Sequence, residues 1–318
     1  MTPPAPSPAD SASETPSEPE PELGAVDVLV DRPDGAAIFA QRLGRPDAPA
    51  IMILDGIGCS GWAFRRIAPA LAERLCVVQT HYRGHGKSPD PPRPWQLSMP
   101  DLADDAVAVL DALEIPKATC IGFSMGFQVA VEVYRRHRTR VTGLVSIAGP
   151  ASRALGQFQG TDLFVHALPF LRAATRHASD LTLRLWRRVL PSRWLPIIGL
   201  HTQLNPMRIE LSDLEFYLGQ MAAMNPQLFV DMLAEATRHC GDDLLPRIQV
   251  PSLVMAGARD RFIPVETLRR IAAAIPGAQW QLIEDGSHAL PAEYGPEVTR
   301  RLLAFMDALA KAPTAAAG

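Results

Sequence analysis

Short apolar runs alternate with amphipathic segments along most of the chain, and this pattern predicts strands separated by helices. The apolar run at residues 50–54 is typical of a strand covered on both faces of a parallel sheet. Residues 101–113 instead repeat leucine, alanine and valine with helical spacing. The predicted strands are residues 26–30, 37–42, 50–54, 76–80, 118–123, 141–148, 252–256 and 279–283, and the predicted helices are residues 62–75, 101–113, 125–137, 265–275 and 296–309.

This alternation also predicts a fold class and a domain organisation. Strands that alternate with helices form an α/β fold, with a mostly parallel central sheet flanked by helices. Residues 151–237 carry helical patterns only, so we expect a helical cap inserted between core segments 24–150 and 238–312. Residues 1–23 are rich in proline, serine and glutamate, which cannot bury enough apolar surface to fold, and we expect a disordered tail there.

Composition and charge narrow the classes of partner. The formal net charge is -3 and no basic patch is concentrated, so we expect no nucleic-acid partner. No apolar run reaches the ~20 residues that span a bilayer, and residues 1–23 lack the pattern of a secretory signal, so we expect no stable membrane insertion. The four cysteines are widely spaced, which favours free thiols in a reducing cytoplasm, and we expect no metal or other cofactor. The oligomeric state is left open.

The strongest chemical motif is the G-x-S-x-G sequence from Gly122 to Gly126, placed between a strand pattern and a helix pattern. A turn this tight needs small residues on both sides, and it projects the serine hydroxyl above the sheet. The following helix N-terminus presents unpaired N–H groups and a partial positive charge. At these residues the chain resembles the α/β-hydrolase family, over residues 26–309, and the resemblance implies that Ser124 is a nucleophile.

The resemblance implies two further members of a catalytic triad. In this family an acid and then a histidine follow the nucleophile along the chain. Asp260 lies in a G-x-x-D-x-x-x-P pattern just after the predicted strand 252–256, and His288 lies just after the last predicted strand. Asp285 is a rival acid by proximity, but it is three residues from His288 on the same loop, and we interpret it as a loop charge.

An oxyanion hole is implied as well, made by the backbone N–H groups of Met125 and Ile57. Relatives carry His-Gly just before the second donor, whereas this chain has Asp55 in place of that histidine. We expect Asp55 to cap the glycine-rich turn or to pair with Arg83, and a polar contact to substrate or a modified reaction is the alternative. Residues 83–88 resemble the R-G-x-G-x-S turn of the family, which we expect to order the neighbouring loop.

Apolar side chains line most small-molecule pockets, and the three candidates for such contacts here are Trp62, Phe123 and Trp186. Further candidates, most of which we expect to hold the cap together, are Phe164, Leu168, Phe170, Trp194 and Met221. The basic, amphipathic residues 184–193 favour a solvated cap helix over a membrane contact or a carrier-bound substrate.

The resemblance therefore implies a serine hydrolase that cleaves an ester, thioester or related acyl bond of a small, largely apolar substrate through an acyl-enzyme. Carbon–carbon bond hydrolases and cofactor-free haloperoxidase-like perhydrolases use the same triad and fit the core equally well. Epoxide hydrolases and haloalkane dehalogenases fit poorly, because their nucleophile is aspartate where this chain has Ser124. A non-catalytic ligand-binding protein on the same fold is the alternative from a different class.

Overall fold

A computed structural model of the chain describes residues 24–153, 163–177, 179–190, 192, 205 and 207–311. An eight-stranded sheet in the order β1-β2-β4-β3-β5-β6-β7-β8 forms its centre. Strand β2 is antiparallel to both of its neighbours, and all pairs from β4 to β8 are parallel. The strands are β1 (Val26–Asp31), β2 (Ala37–Leu43), β3 (Ala50–Leu54), β4 (Cys76–Thr80), β5 (Ala118–Phe123), β6 (Val141–Ile147), β7 (Ser252–Gly257) and β8 (Gln279–Ile283).

Helices cover both faces of this sheet, and further helices lie in the interval between β6 and β7. The described helices are α1 (Ala68–Ala72), α2 (Met99–Ala112), α3 (Gly126–Arg136), α4 (Leu163–His177), α5 (Ser179–Val189), α6 (Leu211–Ala223), α7 (Pro226–Arg238), α8 (Val265–Ala274), α9 (Leu290–Glu293) and α10 (Gly295–Lys311). In β3, Ile51 and Ile53 belong to the buried cluster that includes side chains of α1 and α10, whereas Met52 and Leu54 belong to the cluster that includes side chains of α2, α3 and α8. Alternate residues of the strand are thus buried on opposite faces, and the predicted α/β fold is confirmed.

One predicted helix differs from the structure in kind. Residues 62–75 were expected to form a single helix, but they form a 3₁₀ turn at Trp62–Phe64 followed by the short helix α1. Pro69 lies in the first turn of α1, where its missing N–H is tolerated, whereas inside a longer helix it would break the hydrogen-bond ladder. Residues 55–61 form a loop between the carboxyl end of β3 and this 3₁₀ turn.

The interval between β6 and β7 contains the helices α4 to α7, and its two ends lie side by side. Ser152 and Cys240 form an antiparallel bridge. Next to it, the N–H of Arg153 donates to the carbonyl of His239 at 3.1 Å, and the N–H of Gly241 donates to the Ser152 hydroxyl at 2.8 Å. The described helices therefore leave and rejoin the core at one point. The predicted tail at residues 1–23 lies outside the described residues.

Candidate active site

Ser124 occupies the turn between β5 and α3 in a strained backbone conformation. Its φ is 51°, in the left-handed region that non-glycine residues rarely adopt. A Cβ atom on Gly122 would lie 2.3 Å from the Cα of Phe127, and one on Gly126 would lie 1.9 Å from the carbonyl oxygen of Leu54. Both glycines are therefore required by packing, because the start of α3 is pressed against β5 on one side and the end of β3 on the other.

The structure places Ser124, His288 and Asp260 in one hydrogen-bonded chain. His288 Nε2 lies 2.9 Å from Ser124 Oγ, and His288 Nδ1 lies 2.8 Å from Asp260 Oδ2. The three residues follow β5, β8 and β7, and the carboxyl ends of parallel strands meet at one edge of the sheet. The serine hydroxyl can therefore donate to a histidine whose other ring nitrogen donates to a carboxylate, which is the arrangement that activates a serine nucleophile.

Asp260, and not Asp285, contacts the histidine. The Asp260 side chain is fully buried, and its Oδ1 accepts the N–H groups of Phe262 at 2.8 Å and Ile263 at 2.9 Å. The Asp285 side chain is 62% exposed and forms an ion pair with Arg259 at 2.6 Å. Backbone donors thus fix the Asp260 carboxylate, whereas Asp285 is a surface charge.

Two backbone N–H groups beside Ser124 remain available to a ligand. They belong to Met125, the next residue in the chain, and to Ile57 in the 55–61 loop, and within the described part of the chain neither has an acceptor. The loop lies directly against the serine, since a Cβ on Gly56 would be 3.3 Å from Ser124 Cβ. Such a pair of free donors can bind a developing oxyanion.

Asp55 holds this loop through its side chain. The carboxylate is buried, Oδ1 accepts the N–H of Gly56 at 2.9 Å, and Oδ2 accepts the N–H of Gly61 at 2.9 Å. The Cys59 thiol hydrogen-bonds to the same carboxylate. Burial raises the pKa of Asp55 to about 6, and the three hydrogen bonds oppose that rise. The expected capping of the glycine-rich turn is therefore observed.

The alternative expectation, an ion pair between Asp55 and Arg83, was wrong, because Arg83 pairs with other carboxylates. The Arg83 guanidinium donates to the buried carboxylate of Asp105 on α2 at 2.6 and 2.8 Å, and it also pairs with Asp34 in the β1–β2 turn. Two carboxylates from separate elements thus compensate its charge, and they hold it on the α2 side of the loop. This bidentate pairing leaves Asp55 without a cation.

The turn at residues 83–88 orders the 55–61 loop through a different residue, His85. Its Nε2 accepts the N–H of Gly58 at 3.2 Å, and its Nδ1 lies 3.0 Å from the carbonyl oxygen of Arg83. Burial lowers the pKa of His85 to about 4, so the ring is neutral and can accept at Nε2 while donating at Nδ1. The turn therefore fixes the middle of the loop next to Ile57.

The three candidate pocket residues lie near the site in different settings. Phe123 is buried, with its ring centroid 5.5 Å from that of His288. Trp62 is also buried, and its indole N–H donates to the carbonyl of Asp213 at 2.7 Å, so it ties the core to α6. Trp186 on α5 donates to the carbonyl of Met221 at 2.8 Å and thereby joins two cap helices. Only Phe123 of the three touches the hydrogen-bonded chain.

The further candidates divide in the same way. Phe170 is 78% exposed, so it does not line an enclosed pocket, because its side chain points to solvent from α4. Leu168 packs against α7, and Met221 packs against the 55–61 loop, 3.0 Å from a Cβ placed on Gly58. Trp194 and the side chain of Phe164 lie outside the described residues.

Phe262 and Phe229 are two residues near the site that sequence reasoning missed. The Phe262 ring lies 5.0 Å from the His288 ring, and its position two residues after Asp260 could have suggested this. Phe229 on α7 contacts Trp186, and it also approaches within 3.2 Å of a Cβ placed on Gly58, which only the tertiary structure reveals. Among the residues that the structure describes, no group of histidine, cysteine or acidic side chains could hold a metal ion.

Comparison with known proteins decides the family. The model of the alpha/beta hydrolase fold family matches residues 49–293, most of the chain and the whole of the site. The chain belongs to this family. Its relatives in the family are named as esterases and hydrolases, and the chain is a hydrolase. No helix in the described segments has the length and apolarity to cross a membrane.

Named relatives of this α/β hydrolase cover several reactions. A pimeloyl-[acyl-carrier protein] methyl ester esterase of Chromobacterium violaceum is 28% identical over 79% of this chain and 91% of its own. A 2-hydroxy-6-oxononadienedioate/2-hydroxy-6-oxononatrienedioate hydrolase of Pseudomonas putida is 27% identical over 79% of this chain and 85% of its own. The crystal structure of a hydrolase from Pseudomonas aeruginosa PA01 is 24% identical, covers 88% of this chain and 98% of that one, and has a TM-score of 0.72. The last likeness shows the shared fold.

Proposed function

We propose that this α/β hydrolase is a serine hydrolase that cleaves an ester, thioester or related acyl bond of a small, largely apolar substrate. Ser124 attacks the acyl carbon, His288 takes its proton and later gives it to the leaving group, and Asp260 keeps the histidine in the required tautomer. Water then releases the acyl group from the acyl-enzyme by the same steps in reverse.

The observation that carries this proposal is the continuous hydrogen-bonded chain Ser124–His288–Asp260. Its links of 2.9 and 2.8 Å lie within the range over which a serine proton can be transferred. The acid is buried, so its charge acts on the imidazolium with little screening from solvent. A serine that merely capped a turn would need neither the buried carboxylate nor the strained φ.

Charge that develops on the acyl oxygen has two donors in this proposal, the N–H groups of Ile57 and Met125. Met125 precedes the first residue of α3, so the partial positive charge of that helix end adds to its N–H. Each such donor is worth about 3 to 4 kcal/mol of transition-state stabilisation in comparable sites.

Residues 151–237 form, in this proposal, a cap that selects the substrate. Contacts between the cap helices and the 55–61 loop support it. Met221 and Phe229 pack against Gly58, and the Tyr217 ring lies 4.8 Å from that of Trp62. Apolar and aromatic side chains thus lie against the 55–61 loop beside Ser124, which suits an apolar acyl or alcohol group.

A fluorophosphonate probe and a series of p-nitrophenyl esters, from acetate to decanoate, test the proposal on the full chain. We expect the probe to label the native protein and the esters to be hydrolysed, and both signals to disappear in Ser124→Ala. Ser212→Ala, an exposed serine on α6, is the matched control and should keep both.

The outcomes separate the candidate functions. Labelling of Ser124 without ester turnover would favour carbon–carbon bond hydrolysis, which the Pseudomonas putida relative suggests, or perhydrolase chemistry. Labelling that survives in Ser124→Ala would place the nucleophile elsewhere. Absence of labelling in the native protein would refute the triad and leave a ligand-binding protein on this fold.

A further inference from the structure

Asp55 is a buried carboxylate in the 55–61 loop, and no cation balances its charge within the described part of the chain. No lysine or arginine of the described ranges forms an ion pair with it, and Arg83, the expected partner, is bound by Asp34 and Asp105. Isolated buried charges are costly unless they are fully hydrogen-bonded. A buried, unpaired carboxylate next to a proposed oxyanion site therefore requires a physical explanation.

The titratable groups that face Asp55 come from three elements, and all of them are neutral at pH 7. Cys59 lies in the same loop, Tyr82 and His85 in the loop after β4, and Tyr217 on α6. Burial raises the pKa values of Cys59, Tyr82 and Tyr217 well above their ordinary range, and it lowers that of His85. The Tyr82 hydroxyl donates to the backbone carbonyl of Asp55 and not to its carboxylate. The charge therefore rests on N–H and S–H donors alone.

Those donors lie at the two ends of the loop. Oδ1 accepts from Gly56, the residue before Ile57, and Oδ2 accepts from Gly61, six residues after Asp55. One carboxylate thus ties the first and last turns of the loop together, with Ile57 between them. An ionised carboxylate accepts strongly at both oxygens, whereas in a protonated one the hydroxyl oxygen is a weaker acceptor, so one of the two bonds is weakened.

We propose that Asp55 is a positioning residue: its ionised carboxylate clamps the 55–61 loop so that the Ile57 N–H stays directed at the oxyanion formed on the Ser124 adduct. This inference rests on the proposed acyl-transfer function and assigns a role to the residue that replaces the histidine of relatives. The carboxylate is turned into the loop, toward Gly56 and Gly61, and its two N–H bonds disperse its charge. We therefore expect the clamp to stabilise the transition state, through the position of the Ile57 N–H, more than the charge of the carboxylate destabilises it.

The clamp makes a pH-dependent prediction that a structural residue would not. Burial raises the pKa of Asp55 to about 6, so the clamp weakens as the pH falls through that value. Asp55→Asn lacks this titrating group, so the acid limb of kcat should be steeper in the native enzyme than in the variant.

The experiment measures kcat and KM between about pH 4.5 and 8.5 for the p-nitrophenyl ester that the native enzyme hydrolyses fastest. We expect Asp55→Asn to lower kcat roughly 10- to 100-fold, less than the loss of a whole donor, with KM nearly unchanged. Cys59→Ala removes one hydrogen bond to the carboxylate, so it should raise the pKa of Asp55 and move the acid limb to higher pH. Thermal unfolding of each variant shows whether it is folded.

Each outcome bears on the inference. An unchanged kcat in folded Asp55→Asn would overturn it, and an increased kcat would show that the charge opposes the oxyanion. If Asp55→Asn does not fold, Cys59→Ala decides, and an unmoved acid limb overturns the clamp. Failure of the proposed function is distinct, because in that case the fluorophosphonate would not label Ser124 in the native protein either.

Discussion

Replacing Asp260 by asparagine changes the hydrogen-bonding role of one atom and keeps the shape of the loop. In the native chain Oδ1 accepts from Phe262 and Ile263, and Oδ2 accepts from His288 Nδ1 at 2.8 Å. The asparagine oxygen would keep the two backbone bonds, which places its NH₂ group against His288 Nδ1. Two N–H groups cannot face each other, so the imidazole would carry its proton on Nε2 and could no longer accept the proton of Ser124.

The expected loss is large, because the bond that is lost is both ionic and buried. The Asp260 side chain has no exposed surface, so water cannot replace it. A wrong histidine tautomer lowers kcat by about 10⁴-fold in a serine protease triad, and the oxyanion donors and substrate binding supply what activity remains. We therefore expect kcat to fall by about 10³- to 10⁴-fold, or about 4 to 5.5 kcal/mol in the activation free energy, with little change in KM.

The assay is ester hydrolysis under saturating substrate, with Asp285→Asn as the matched control. Asp285 lies three residues from His288, but it is 62% exposed and paired with Arg259, so its neutralisation should leave kcat within about twofold of the native value. A fall of less than about tenfold in Asp260→Asn would refute the role of the buried carboxylate. A large fall in Asp285→Asn instead would assign the acid to the exposed loop.

Two further predictions concern stability. Gly126→Ala would place a Cβ 1.9 Å from a backbone oxygen of β3, so we expect a loss of about 2 to 3 kcal/mol in unfolding free energy and loss of probe labelling. Gly219→Ala on α6 meets nothing within 4 Å and should gain about 0.5 to 1 kcal/mol in the same denaturant titration; equal effects would contradict the packing argument. Asp55 has a pKa raised by burial from 3.8 to about 6, so its contribution to stability is full below pH 4 and is lost as the pH rises through 6. Against Asp55→Asn, the native protein should therefore lose up to about 3 kcal/mol over that interval, and a flat difference would contradict the raised pKa.

Local sequence signals were sufficient for the sheet and for the elements that carry the site. The apolar run of β3 specified a strand with both faces buried, and its bounds agree with the structure. The glycines on either side of Ser124 specified the tight turn, because only a missing Cβ permits such contacts. Asp260 and His288 could be chosen because the resemblance to the family implies the order serine, acid, histidine, and because both residues follow strands whose carboxyl ends meet at one edge of the sheet.

Which side chains pair across long sequence separations could not be predicted from local sequence signals. Arg83 pairs with Asp105, 22 residues away, and Asp34, 49 residues away, and several other acids were equally plausible along the chain. The indole of Trp62 is bound to the carbonyl of Asp213, 151 residues away. Such pairs depend on how helices dock on the sheet, and sequence periodicity gives the buried face of each helix but not its neighbour.

Asp55 shows how a functional role can be separated from a structural one. If it only stabilised the loop, its replacement by asparagine would lower stability and activity together. A buried carboxylate with a raised pKa instead costs folding free energy as it ionises, so the difference in stability should shift in favour of the asparagine variant as the pH rises through 6. The proposed clamp requires the difference in kcat to shift in favour of the native enzyme over the same interval. Opposite trends in the two measurements would mean that the loop keeps a charge that is costly to folding because catalysis uses the geometry that this charge maintains.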